Sequence, residues 1–152
     1  MRSGTCVLLA ILAAGTAWAV DDSAAIQSVI EAQLAFTQVP GAAKINPEIY
    51  APDAVCIWGG LIHRKRESLV AEFEKYRKQA EKDFASCKFT LDKLEVRVTG
   101  DSAWATVQLR FEATTKEKKE VITRLSWSTF VFTKAGNSWQ ILHEHNSPAP
   151  LR

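Results

Sequence analysis

Histidine is scarce in this chain, and so is unbalanced charge: three histidines stand among 152 residues, and the formal net charge is +2. Near-neutrality removes the electrostatic ground for expecting nucleic acid or an anionic membrane surface as a partner. There is no glycine-rich phosphate loop, no G-x-S-x-G elbow and no Cys–His nucleophile motif, so nothing points to a nucleotide enzyme or a hydrolase. Nor does an internal repeat or a Gly/Ser- or Pro-rich linker divide the sequence. The length suits one domain around one core.

What is present begins with a leader. "MRSGTCVLLAILAAGTAWA" has one basic residue, an apolar run from Cys6 to Ala14 and a small-residue ending, Ala17-Trp18-Ala19, that fits the A-x-A cleavage pattern of a secretory signal. The run is too short, and too soon followed by Asp21 and Asp22, to make a good membrane span. The expectation is a signal peptide over residues 1–19 and a domain over 20–152, secreted or periplasmic and free of the membrane once the leader is removed. Export leaves Cys56 and Cys87 in an oxidising compartment, where either a disulfide or two separate buried thiols is open.

The mature chain starts with a helical pattern. Ile26, Val29, Ile30, Leu34 and Thr37 recur at three- and four-residue steps, Asp22 or Ser23 stands ready to cap the start, and Pro40-Gly41 ends it. Asn46-Pro47 reads as an N-cap and first helical proline of a short helix closed by Pro52-Asp53. "AVCIWGG" and "LIHRK" read as a hairpin around Gly59-Gly60, and "ESLVAEFEKYRKQAEKDF" as an amphipathic helix. After Cys87 the period becomes two, with one slip near Asp92-Lys93 that predicts a bulge. Helices followed by a run of antiparallel strands give an α+β fold whose curved sheet wraps the helices as a cone.

Three segments carry a resemblance: "YAPDAV" at Tyr50–Val55, "GDSAWATVQ" at Gly100–Gln108 and "WQILHEHNS" at Trp139–Ser147. Together they resemble the nuclear transport factor 2-like superfamily, especially its SnoaL-like and ketosteroid-isomerase-like small domains. The last also looks like the final strand of the association domain of calcium/calmodulin-dependent protein kinase II. The likeness covers roughly Ala24 to Pro148 and implies a cone with a cavity between the concave sheet face and the helices, with homodimers formed through the sheet. The superfamily hosts isomerases, dehydratases and cyclases as well as non-catalytic assembly modules, so the resemblance specifies fold more than function. Two departures stand out. "TQVPGAAKIN" is unlike the usual helix connection, and no Asp or Glu takes an interior strand position in this reading, so an acidic base is not evident.

The candidate site residues follow from strand parity. A period of two places Trp139, Ile141, His143, His145 and Ser147 on one face of the last strand, with Gln140, Leu142 and Glu144 on the other, and Ile141 marks the histidine face as the covered one. His145, Tyr50 and His63 are then the expected proton-transfer residues, because an imidazole is basic near neutral pH; the competing role is a histidine that only anchors its strand. Trp58, Trp127, His143 and Arg124 are the expected ligand contacts, set against core packing for the aromatics and an outward side for Arg124. Asp53 reads as a turn former. A metal would need His63 as third ligand beside His143 and His145, and neither metal nor cofactor is expected. The expected ligand is a small hydrophobic or carbonyl-containing molecule.

Overall fold

A computed structural model describes residues 15–150, with side chains from Asp22 onward. Most of the expected leader therefore lies outside the described residues. Helix α1 (Gly15–Ala35) leads through a short 3-10 turn (Pro47–Ile49) into strand β1 (Tyr50–Trp58). Then come β2 (Leu61–Arg64), helix α2 (Arg66–Asp83), and four long strands, β3 (Phe84–Thr99), β4 (Ser102–Thr115), β5 (Val121–Ala135) and β6 (Ser138–Ala149). The strands form a single six-stranded sheet in the order β2-β1-β6-β5-β4-β3, antiparallel except where β6 returns parallel to β1. The expected sheet is thus corrected at one junction.

Local chemistry explains the elements. Asn46 caps the 3-10 turn, its side-chain oxygen accepting from the Glu48 amide at 3.1 Å. Gly59 and Gly60, both at positive φ, make the β1–β2 turn. In α2, Leu69 and Phe73 are buried, while Arg77 bridges Glu74 and Glu81 on the wet side. The slip predicted near Asp92 is a real bulge between Leu91 and Lys93.

Two local expectations change. The chain enters β1 at Tyr50 rather than after Pro52-Asp53. Asp22 caps nothing, because α1 runs through it. Its carboxylate instead accepts from Lys134 Nζ and Trp139 Nε1, each at 2.9 Å, and so fastens α1 to β5 and β6.

Alternation on β4 puts Ala103, Ala105, Val107 and Leu109 on the concave face, where they meet Phe130 and Phe132 of β5 and Ile141 of β6. The small alanines leave room for the two phenylalanines, which stack at 5.8 Å and are fully buried. Ile26 and Ile30 of α1 and Phe36 in the turn after it close the layer above them. Cys56 on β1 and Cys87 on β3 are separate buried thiols with three strands between them in the sheet, not a disulfide.

Phe130→Ala should cost about 3–5 kcal/mol of stability, because the alanines opposite cannot fill the void. Urea unfolding measures it; a loss below about 1 kcal/mol would show that the concave face is not the core.

Candidate functional site

The parity of β6 breaks at Leu142. Phe132 of β5 pairs with Ile141, but the next residue back, Val131, pairs with His143, leaving Leu142 as an extra residue in the ladder. Two successive residues then face one partner, and the alternation inverts beyond them. Glu144 and Asn146 consequently join Ile141 on the concave side, opposite Phe130 and Ser128, whereas His143 and His145 pair with the outward Val131 and Thr129.

This corrects the histidine assignment. His145 is exposed, its Nε2 lying 3.3 Å from Ser147 Oγ, and His143 is half-buried on the convex side; neither lines the cavity. The carboxylate that sequence reasoning placed on the solvent face is the one that goes inside. A hint was available: Ile141-Leu142 are adjacent apolar residues where a strict period of two allows one.

Between the concave sheet and the helices lies a cavity of about 280 Å³. Gln33 and Leu34 of α1, Thr37 in the turn after it, and Phe73, Tyr76 and Ala80 of α2 form one wall; Cys87, Phe89, Leu109 and Phe111 of β3 and β4 form the other. Trp58 lies at the β1 side, and Glu144 with Asn146 on β6 supply the polar part. Tyr76, 40% exposed, marks the open edge.

Of the expected residues, Trp58 alone lines this space. Tyr50 is fully buried beside it. His63 stacks on Trp58 at 5.2 Å, with its Nε2 buried and unpartnered. Trp127 is 40% exposed on the convex face, because it is paired with the outward Gln108, and Arg124 is exposed at the far end of β5. Asp53 is exposed on β1. The three histidines do not converge, since His63 pairs with the inward Cys56 while the other two face out.

Glu144 is 4% exposed, and among the described residues no Lys or Arg pairs with it. Burial without a countercharge penalises the anion and raises its pKa to about 7, although donors on Gln33, Trp58 and Ser128 pull it back part of the way. Gln33 gives its amide hydrogens to Glu144 Oε2 at 2.6 Å and to Tyr50 Oη at 2.9 Å, leaving its own Oε1 buried and without a partner. Ser128 Oγ stands at a long 3.5 Å from Glu144 Oε1 and accepts from Asn146 Nδ2 at 2.8 Å. Burial, and then the neighbouring Glu144 charge, hold the Tyr50 hydroxyl and the Cys56 thiol in their neutral forms well above their usual range. A carboxyl poised near neutrality inside an apolar cavity can take or give a proton.

Sequence reasoning missed Gln33 for a physical reason: it occupies a core-facing step of α1, seven residues after Ile26, where the helical period calls for an apolar side chain.

Comparison with known proteins agrees with this fold. A family model described as a SnoaL-like domain matches residues 47–151. A nuclear transport factor 2-like protein with a cystatin-like fold from Novosphingobium aromaticivorans is 20% identical, covering 85% of this chain and 82% of its own, with a TM-score of 0.68. A protein of cystatin-like fold from Caulobacter vibrioides is 24% identical, with 86% and 91% covered and a TM-score of 0.67. A hexachlorocyclohexane dehydrochlorinase is 15% identical, with 88% and 90% covered and a TM-score of 0.68. Among curated proteins, none matches the sequence.

The raised pKa makes a stability prediction. Folded Glu144 keeps its proton up to about pH 7, whereas the unfolded carboxyl loses it from 4.5 upward, so this group's contribution to stability is complete below 4.5, falls as pH rises through 7 and is level beyond. The total is about 3 kcal/mol. Glu144→Gln should remove that slope, gaining on the parent protein as pH rises from acid to mildly alkaline in urea unfolding. Parallel pH profiles for the two proteins would contradict the buried, unpaired carboxyl.

Proposed function

Since the chain belongs to the SnoaL-like domain family, within the nuclear transport factor 2-like superfamily, we propose that its cavity binds a small, mainly hydrophobic molecule and that Glu144 transfers a proton to or from it. The carrying observation is a buried carboxyl with a pKa near neutrality, the one buried carboxyl among the described residues, facing a mainly apolar, aromatic-lined space. Trp58 and Phe73 meet edge to face at 4.6 Å and give the ligand an apolar wall. Gln33 is the positioning residue, because one amide holds both the carboxylate and the Tyr50 hydroxyl. The protein works outside the cytoplasm once residues 1–19 are removed. Among the described residues, no helix is long and apolar enough to cross a membrane.

The same reading includes a homodimer joined through the convex sheet face. Trp104 and Trp127 are 45% and 40% exposed there, a large apolar area to leave in water. Sedimentation should find a dimer that Trp104→Glu with Trp127→Glu converts to monomer; a parent protein that sediments as a monomer at micromolar concentration would remove the interface.

The functional test is a thermal-shift screen with hydrophobic compounds, carbonyl compounds included, followed by turnover assays on the hits. Stabilisation should survive His145→Ala, and any turnover should follow a pH profile with its bend near 7 and fall about 100- to 10,000-fold in Glu144→Gln. Turnover that needs His145 and tolerates loss of the Glu144 carboxyl would overturn the assignment.

A further inference from the structure

The polar atoms of the cavity are unequal in a way that selects a class of ligand. Among the described residues Glu144 is the one charged residue lining it, and no cation answers it. The amide donors nearby are already committed within the protein. Gln33 spends both amide hydrogens on Glu144 and Tyr50, and Asn146 spends both on Ser126 and Ser128. What remains unsatisfied is an acceptor, Oε1 of Gln33, on a residue 3% exposed. The site therefore offers acceptors and negative charge, and asks for a donor carrying positive charge.

The rest of the lining favours the same chemistry. Trp58, Phe73, Tyr76, Phe89 and Phe111 present aromatic rings to the space, and ring faces attract an organic cation that has shed its water. We propose that the cavity takes a protonated organic amine, its N–H group donated to the Glu144 carboxylate and to Gln33 Oε1, its hydrocarbon body lying among the aromatic rings. This rests on the reading of the cavity as a ligand site and narrows the ligand. An anion would meet Glu144 with no cation to balance it, and a carbonyl oxygen would find the Gln33 and Asn146 donors taken. A neutral hydrocarbon would fit but leave both acceptors bare.

Binding of such a ligand requires the ionised carboxylate, so affinity should rise with pH as Glu144 loses its proton. The groups that face it are Tyr50 and Cys56 from β1, Gln33 from α1, Ser128 from β5 and, across the cavity, Tyr76 from α2 and Cys87 from β3. Burial raises the pKa of both tyrosines and both thiols, which keeps them neutral over the same range. His63 stacks on Trp58 outside the lining, so His63→Gln serves as the control.

Three probes of matched shape decide the matter: phenethylammonium, neutral propylbenzene and anionic 3-phenylpropanoate, titrated calorimetrically into the whole protein. At about pH 8 the ammonium should bind about tenfold or more tightly than propylbenzene, as a charge-assisted hydrogen bond to a buried carboxylate requires. Near pH 5.5 the advantage should vanish, and it should be absent at both pH values in Glu144→Gln but intact in His63→Gln. Propylbenzene binding as well as the ammonium at pH 8, or preference for 3-phenylpropanoate, overturns the amine while leaving the cavity a ligand site. Failure of all three to bind overturns both readings. The pH comparison on the parent protein decides even if a variant fails to fold.

Discussion

A carboxylate buried without a countercharge is the constraint on which the site depends. Glu144 sits 4% exposed on the concave face of the sheet, where ionisation is costly unless neighbours offer hydrogen bonds. The neighbours are neutral: an amide from α1, a hydroxyl from β5 and an indole from β1. Each comes from a different element, so the carboxylate also ties the helix layer to the sheet. The compromise leaves the group with a pKa near 7, neither locked as an anion nor fixed as an acid.

That arrangement exists because of one extra residue. Without the bulge at Leu142, strict alternation from Ile141 would bring His143 and His145 inside and turn Glu144 to solvent. The bulge exchanges two imidazoles for a carboxylate and an amide, and it does so beside the fully buried Phe130 and Phe132, which fix which face is core. The histidine doublet becomes part of the convex surface.

Patterns that depend on neighbours in sequence were legible. The amphipathic α2, the glycine hairpin at Gly59-Gly60, the Asn46 cap and the bulge at Asp92 each follow from residues a few positions apart. The α+β order followed as well, though not the parallel pairing of β1 with β6, which joins strands from opposite ends of the domain. The site was read less well, because its geometry is set across the sheet. Leu142 is known to be extra only when Val131 and Phe132 are seen opposite it. Gln33 stands at a core-facing step of α1, and its role is seen only once its partners on β1 and β6 are known. Trp58 stood out in the sequence for its aromatic area, with core packing as the competing role, and it lines the cavity.

Fold, cavity and chemistry meet in the ionisation of one group. Aromatic rings surround the carboxyl, its burial raises the affinity of Glu144 for its proton, and the raised affinity brings the group to its protonation midpoint near neutral pH. The most direct measurement is a pH titration of the side-chain carboxyl carbons by NMR in protein labelled with 13C at glutamate, with Glu144→Gln assigning the resonance. One carboxyl should titrate with a midpoint of about 7 and disappear in the variant. A Glu144 midpoint near the ordinary glutamate value of about 4.3 would show a solvated or cation-paired group and contradict the account.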